Sequence, residues 1–232
     1  IVSAPALSVD DTNNLWVYFG TGRFYSSLDQ SDSDTKHFFG VKDCNLTGRC
    51  TTGAVEQHDL FDASNVVICK TCNTSDHSKI VSLDGGATYD RGFDAGADSL
   101  LNTVGAKSGW FITLPETRER NLTTAAVIGG TLVFTTFFPG TDVCVSEAQG
   151  RLYALYYKTG TPYKESAIGA GDSGIANKFI NLGAGVPSGV TIHMNKGENN
   201  TTALIQFTTG GVGETPLKTS PVWSRMVAWR DV

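Results

Sequence analysis

Charge is scarce in this chain. Only 18% of its 232 residues are charged, against roughly 25% in an average soluble domain. Thr, Ser, Gly and Asn make up the difference, so the surface offers hydroxyls and amides more than ion pairs. Lys and Arg number 18 against 23 Asp and Glu, a formal net charge of −5. That balance argues against nucleic acid as a partner, because phosphate binding needs clustered cations. No apolar run approaches the roughly 18 residues of a membrane span. The four histidines, His37, His58, His77 and His193, are too scattered to share a metal ion, and none neighbours a Ser or Cys nucleophile in a strand-turn-helix setting. Gly171-Asp172-Ser173-Gly174 has the letters of a protease serine segment, but it lies in a Gly/Ala/Ser loop with no histidine partner. No glycine-rich loop opens a helix that would cradle phosphate. The chain therefore reads as a non-enzymatic protein without a resident cofactor.

Cysteines are few, and they are grouped. Cys44/Cys50 and Cys69/Cys72 form two close pairs, with Cys144 left over. Cys69-Lys-Thr-Cys72 is followed by Asn73, where haem attachment requires His. The spacing of Cys44 and Cys50 is a poor match to zinc-ligand spacing, and no βαβ pattern surrounds the CxxC. Two local disulfides that staple loops are the better reading, and they imply an oxidising compartment. Cys144 is free, bonds outside this segment, or signals that one of the two pairs is wrong. The chain starts at Ile1 without a signal peptide, as expected of a product of proteolysis or of a segment cut from a longer polypeptide.

What is abundant is short aromatic strands ending at polar corners: Leu15–Phe24, His37–Asp43, Gly109–Leu114, Leu132–Pro139, Arg151–Gly160 and Trp223–Asp231. Alternating apolar residues closed by Gly-Thr-Gly, Lys-Asp or Thr-Gly describe antiparallel strands meeting tight turns. The fold class is all-β and β-propeller-like, with about three four-stranded blades. The first region runs from Val2 to Asp43, with strands near Ala4–Val9, Leu15–Thr21 and Phe38–Lys42. The second blade takes Gly109–Leu114, Thr123–Ile128, Thr131–Phe138 and Arg151–Tyr157, with a hairpin turn at Gly129-Gly130. The third takes Lys178–Leu182, Val190–His193, Thr202–Thr208 and Arg225–Trp229, with a polar turn at 197–200. Between the first two lies a polar, cysteine-containing insertion at about 44–108, with one apolar run at Val66–Cys69 and a helix predicted over Asp94–Asn102 with Ala97, Leu100 and Leu101 on one face. It far exceeds an ordinary connection of about 4–6 residues. Propellers close with about four to eight blades, so the open edges call for further blades, another chain or copies of this one.

Individual polar clusters read as structural. Asp29, Asp32, Asp34 and Thr35 offer oxygens to Ca²⁺, which takes about six to eight, but their irregular spacing fits a solvated acidic turn. Asp10-Asp11-Thr12-Asn13-Asn14 is an Asx-rich hairpin turn. Arg23 and Arg120 are expected to bridge to Asp43 or to other carboxylates and so to fix blade corners. Asn-x-Ser/Thr triplets at Asn45, Asn73, Asn121, Asn199 and Asn200 follow from the abundance of Asn and Thr, and Asn121 reads as a surface polar residue. Trp110 and Trp229 read as core.

The phrases at Asn14–Arg23, Phe38–Asp43 and Gly109–Leu114, with Glu119-Arg120 after them, resemble the C-terminal β-propeller domain of the PilY family of type IV pilus-biogenesis and pilus-tip proteins. The resemblance continues through the Thr-Thr-Phe-Phe-Pro stretch ending at Pro139, Asp142 and Cys144, Leu152–Leu155 with Thr159-Gly160, and Trp229-Arg230-Asp231, in matching order across nearly the whole chain. It implies residues 1–232 as a partial propeller of a secreted, extracellular protein at or near the pilus tip. Such a protein acts in pilus biogenesis and adhesion through contacts with pilins, other tip proteins, or the upstream blades of its own precursor. Family members are much longer, and their N-terminal region and earlier blades are absent here. The family's calcium loop has no residue-by-residue counterpart in this sequence. The alternative is a processed fragment that assembles head-to-tail into an extracellular filament.

Overall fold

Alternation of apolar and polar side chains drives this chain into strands, and the computed structural model is built mostly from them. It describes residues 1–43, 54–68, 80–82, 93, 99–140, 148–163, 166–169, 171, 175–194 and 201–219. In chain order the first strands are β1 (Ala6–Val9), β2 (Leu15–Gly20), β3 (His37–Asp43), β4 (Phe61–Asp62), β5 (Val66–Ile68), β6 (Ile80–Ser82) and β7 (Gly109–Thr113). They are followed by β8 (Ala126–Ile128), β9 (Thr131–Phe138), β10 (Gln149–Tyr156), β11 (Phe179–Ala184), β12 (Thr191–Met194), β13 (Thr201–Gln206) and β14 (Val212–Leu217). Among the described residues two short α-helices, α1 (Ser27–Gln30) and α2 (Leu100–Gly105), and a 3-10 turn at Gln57–Asp59 interrupt them.

Three open sheets and a ribbon result among the described residues. The first sheet has the order β1-β2-β3-β7-β4, the second β11-β10-β9-β8 and the third β12-β13-β14, while β5 and β6 form the two-stranded ribbon. The second sheet lies in the middle. On one side its Leu132, Phe134, Tyr153 and Leu155 join Trp16, Tyr18, Phe38, Trp110 and Ile112 of the first sheet. On the other side its Val133, Leu152 and Ala154 join Ala203, Ile205 and Leu217 of the third. Both faces of β9 and β10 are thus covered, which is why their sequences read as nearly continuous apolar and threonine runs. Burying side chains of this size contributes roughly 1.5–3 kcal/mol each. Phe38 and Phe134 stack across the first interface with ring centroids 3.7 Å apart.

The all-β reading holds, and the blades are divided differently from the expectation. Gly109–Leu114 does not open the second sheet; its residues Gly109–Thr113 belong to the first, pairing antiparallel with β3 on one side and parallel with β4 on the other. Packing around one indole fixes this choice. Gly40 sits opposite Trp110, and a Cβ on Gly40 would lie 2.5 Å from its ring. Gly160, at φ +69°, approaches the same ring so closely that a Cβ there would lie 2.2 Å from it. Trp110 is fully buried between them and donates from Nε1 to the Tyr157 carbonyl at 3.0 Å. The second sheet takes its fourth strand from β11, which the sequence assigned to the third. The third sheet gains β14, unforeseen because Gly213 and Pro216 suit a strand poorly. Proline is tolerated there because β14 is an edge strand among the described residues.

Turn chemistry agrees with the sequence. Gly129 and Gly130 both adopt positive φ, 52° and 78°, in the two-residue turn between β8 and β9. Asp10 organises the β1–β2 turn: its carboxylate accepts from Thr12 N, Thr12 Oγ1, Asn14 N, Asn14 Nδ2 and Trp16 Nε1. Burial opposes ionisation of Asp10, but these donors outweigh it and hold the carboxyl well below the usual range. The predicted helix appears as α2, shifted toward the C-terminus, with Ser99 capping Asn102 N and Leu100 and Val104 buried. Lys42 covers the end of α2 by donating from Nζ to the carbonyls of Gly105 and Lys107 at 2.6 and 2.8 Å. Of the described helices, none is long and apolar enough to cross a membrane. Cys44, Cys50, Cys69, Cys72 and Cys144 lie outside the described residues, as does the expected strand Arg225–Trp229.

Candidate functional site

The segment joining β7 to β8 crosses from the first sheet to the second and carries three consecutive buried polar residues. Glu119 is 1%, Arg120 0% and Asn121 1% exposed. Arg120 pairs with β9 as an isolated bridge to Phe137, exchanging both main-chain hydrogen bonds at 2.9 and 3.0 Å. Its guanidinium then turns toward the loop between β2 and β3. It donates to the carbonyls of Arg23 (2.8 Å), Asp29 (2.7 Å) and Asp32 (3.3 Å), and to its own neighbour Arg118 (2.9 Å). Phe24 and Phe137 flank it, each ring centroid within 6 Å of the guanidinium carbon. Gly22, at φ +128°, is required beneath it, because a Cβ there would lie 2.4 Å from Arg120 Cβ.

Asp29 fixes the same loop from within. Its carboxylate accepts from Tyr25 N, Ser26 N and Ser26 Oγ, and from Arg23 Nε at 2.8 Å. The Tyr25 amide, then the Ser26 amide and Arg23, bring its pKa down to about 2 against the opposing effect of burial. Asp32 faces Lys36 at 2.9 Å and accepts from Asp34 N, and Lys36 lies 3.9 Å from Asp34. The acidic stretch is therefore folded around the chain's own cations, and Thr35 is exposed beside it. Among the described residues no three His, Cys, Asp or Glu side chains gather as a metal site.

Glu119 faces the other way, into the second sheet. Its carboxylate accepts from Arg151 NH1 (2.8 Å), Thr136 Oγ1 (2.6 Å) and Tyr153 Oη (2.8 Å). Arg151 also reaches Glu116 and Asn181 and lies over the Phe179 ring, 4.4 Å from its centroid. A buried ion pair this well supplied with hydrogen bonds offsets its desolvation cost. The network escaped the sequence reading. Its one signal was Glu116, Arg118, Glu119 and Arg120 crowded together in a charge-poor chain, with Arg151 and Tyr153 two apart on one strand face.

Arg23 and Arg120 both act at this corner, but neither meets Asp43. Arg23 pairs with Asp29, and Arg120 with main-chain carbonyls. Asp43 ends β3 opposite Leu15, six residues along the strand from His37, a separation of about 20 Å at roughly 3.3 Å per residue. There it lines a cavity of about 600 Å³ with Val17, Phe19, Phe39 and Val41 on the outer face of the first sheet. Asn121 is not a surface residue: its Nδ2 donates to the Thr135 carbonyl at 2.8 Å, its Oδ1 is unpartnered, and it fills the space over Gly20. Its triplet is closed to glycosylation in the folded chain. Asn45, Asn73, Asn199, Asn200, His77, Trp229 and residues 172–174 lie outside the described residues. His37 packs beside Phe39 and Phe111, and burial lowers its pKa. His58 is exposed beside Glu56 and Asp59, and His193 is exposed on β12. The site is a mechanical joint that also holds a surface loop rigid.

No family model and no curated protein matches the chain. Among solved structures it is similar to the Pseudomonas aeruginosa PilY1 C-terminal domain, with a TM-score of 0.57 and 16% sequence identity. The similarity covers 94% of this chain and 45% of that one, so the chain spans under half the length of its structural neighbour. At that identity the likeness concerns the fold, and the chain has a distant PilY1-like, β-rich architecture.

Proposed function

We infer that this chain is part of an extracellular, pilus-associated protein of PilY type, acting in pilus biogenesis and adhesion by protein contact and not by catalysis. The observation that carries this reading is the fold likeness across 94% of the chain. The ordered PilY-like phrases support it, because Gly20-Thr21-Gly22-Arg23 and Glu119-Arg120 are residues that build the inter-sheet joint. Dispersed histidines and a polar seam committed to structural bonds support a protein that binds without a cofactor. The partners are pilins or other tip proteins, together with further blades of the same polypeptide.

The outer faces of the two end sheets are surfaces that such partners would cover. Leu7, Val17, Phe19 and Phe39 give the first sheet an apolar outer face, with Leu7 60% exposed. The outer face of the third sheet mixes His193, Thr202, Gln206 and Glu214 with Leu204, Val212 and Pro216, Val212 being 61% exposed. The test is deletion of the encoding gene, with surface pili counted by electron microscopy. Loss of pili that the wild-type gene restores is the expected result; unchanged piliation and unchanged attachment would overturn the reading.

A further inference from the structure

We draw no further inference here: the strongest candidate, the cavity of about 600 Å³ on the outer face of the first sheet between Val17, Phe19, Phe39 and Val41 on one wall and Val55 and Leu60 on the other, carries nothing because nothing in the structure shows what covers it.

Discussion

Replacing Arg120 tests whether main-chain carbonyls alone can justify a buried cation. The guanidinium is fully buried, burial lowers its pKa, and the carboxylates of Asp32 and Asp29 offset that only in part. Its shortest bonds, at 2.7 and 2.8 Å, go to the carbonyls of Asp29 and Arg23. Hydrogen bonds from a charged donor are worth about 1.5–3 kcal/mol each, so these two together supply about 3–6 kcal/mol. Arg120→Met keeps most of the side-chain volume and removes the donors; relief from desolvating the cation returns part of the loss. The expected net cost is about 3–4 kcal/mol, a large share of a typical stability of about 5–15 kcal/mol. Arg120→Lys keeps the charge but cannot spread rigid donors over three carbonyl directions, and it should cost about 2 kcal/mol. Urea unfolding followed by tryptophan fluorescence reads both variants, with the midpoint shifting at constant slope. Cleavage by a protease within 21–36 should accelerate in the Met variant before global unfolding does. A Met variant within about 1 kcal/mol of wild type, or a Lys variant equal to wild type, would refute the reasoning, since fork geometry would then count for nothing.

Gly40→Ala drives a methyl group into the Trp110 ring, and overpacking of this kind costs typically about 1–3 kcal/mol; an unchanged melting temperature would mean that the indole has room to move. Lys178 donates from Nζ to the Ala63 and Ser64 carbonyls, and burial pushes its pKa down to about 8, with Asp62 partly offsetting. Between about pH 8 and pH 10 the unfolded chain holds this proton more tightly than the folded chain, so stability rises with pH there. Tyr156 and Tyr157, pushed up to about 12 by burial, reverse the trend above about pH 10 as the unfolded tyrosines ionise first. Urea midpoints from pH 7 to about 9.5 should climb in wild type and stay level in Lys178→Met; equal slopes would remove Lys178 as the cause.

Strand content and turns were legible because they are local. Period-two alternation exposed β2 and β3, and two consecutive glycines exposed the β8–β9 hairpin. Sheet membership was not legible, because it depends on which strand meets Gly40. That is a fit between one glycine and one indole seventy positions away. β14 was hidden by Gly213 and Pro216, whose penalties vanish at an edge. At the corner, the sequence singled out Arg23 and Arg120 and paired them with carboxylates, as charge alone suggests; Arg23 does meet one, Asp29, but Arg120 does not. A buried guanidinium instead collected carbonyls, acceptors that every residue carries and no sequence motif marks.

The path of the chain between β3 and β7 has a practical consequence. These strands are neighbours in the first sheet although some 65 residues separate them, and Lys42 N still bonds to the Ser108 carbonyl at 2.9 Å where the chain leaves and returns. Everything between enters and exits through one stitched seam. Closing a longer loop costs only about 0.6 kcal/mol per doubling of its length. The seam thus lets this segment lengthen at little entropic cost, but any exchange has to keep β4 in the first sheet and Val66, Ile68, Leu100 and Val104 in the core beneath it.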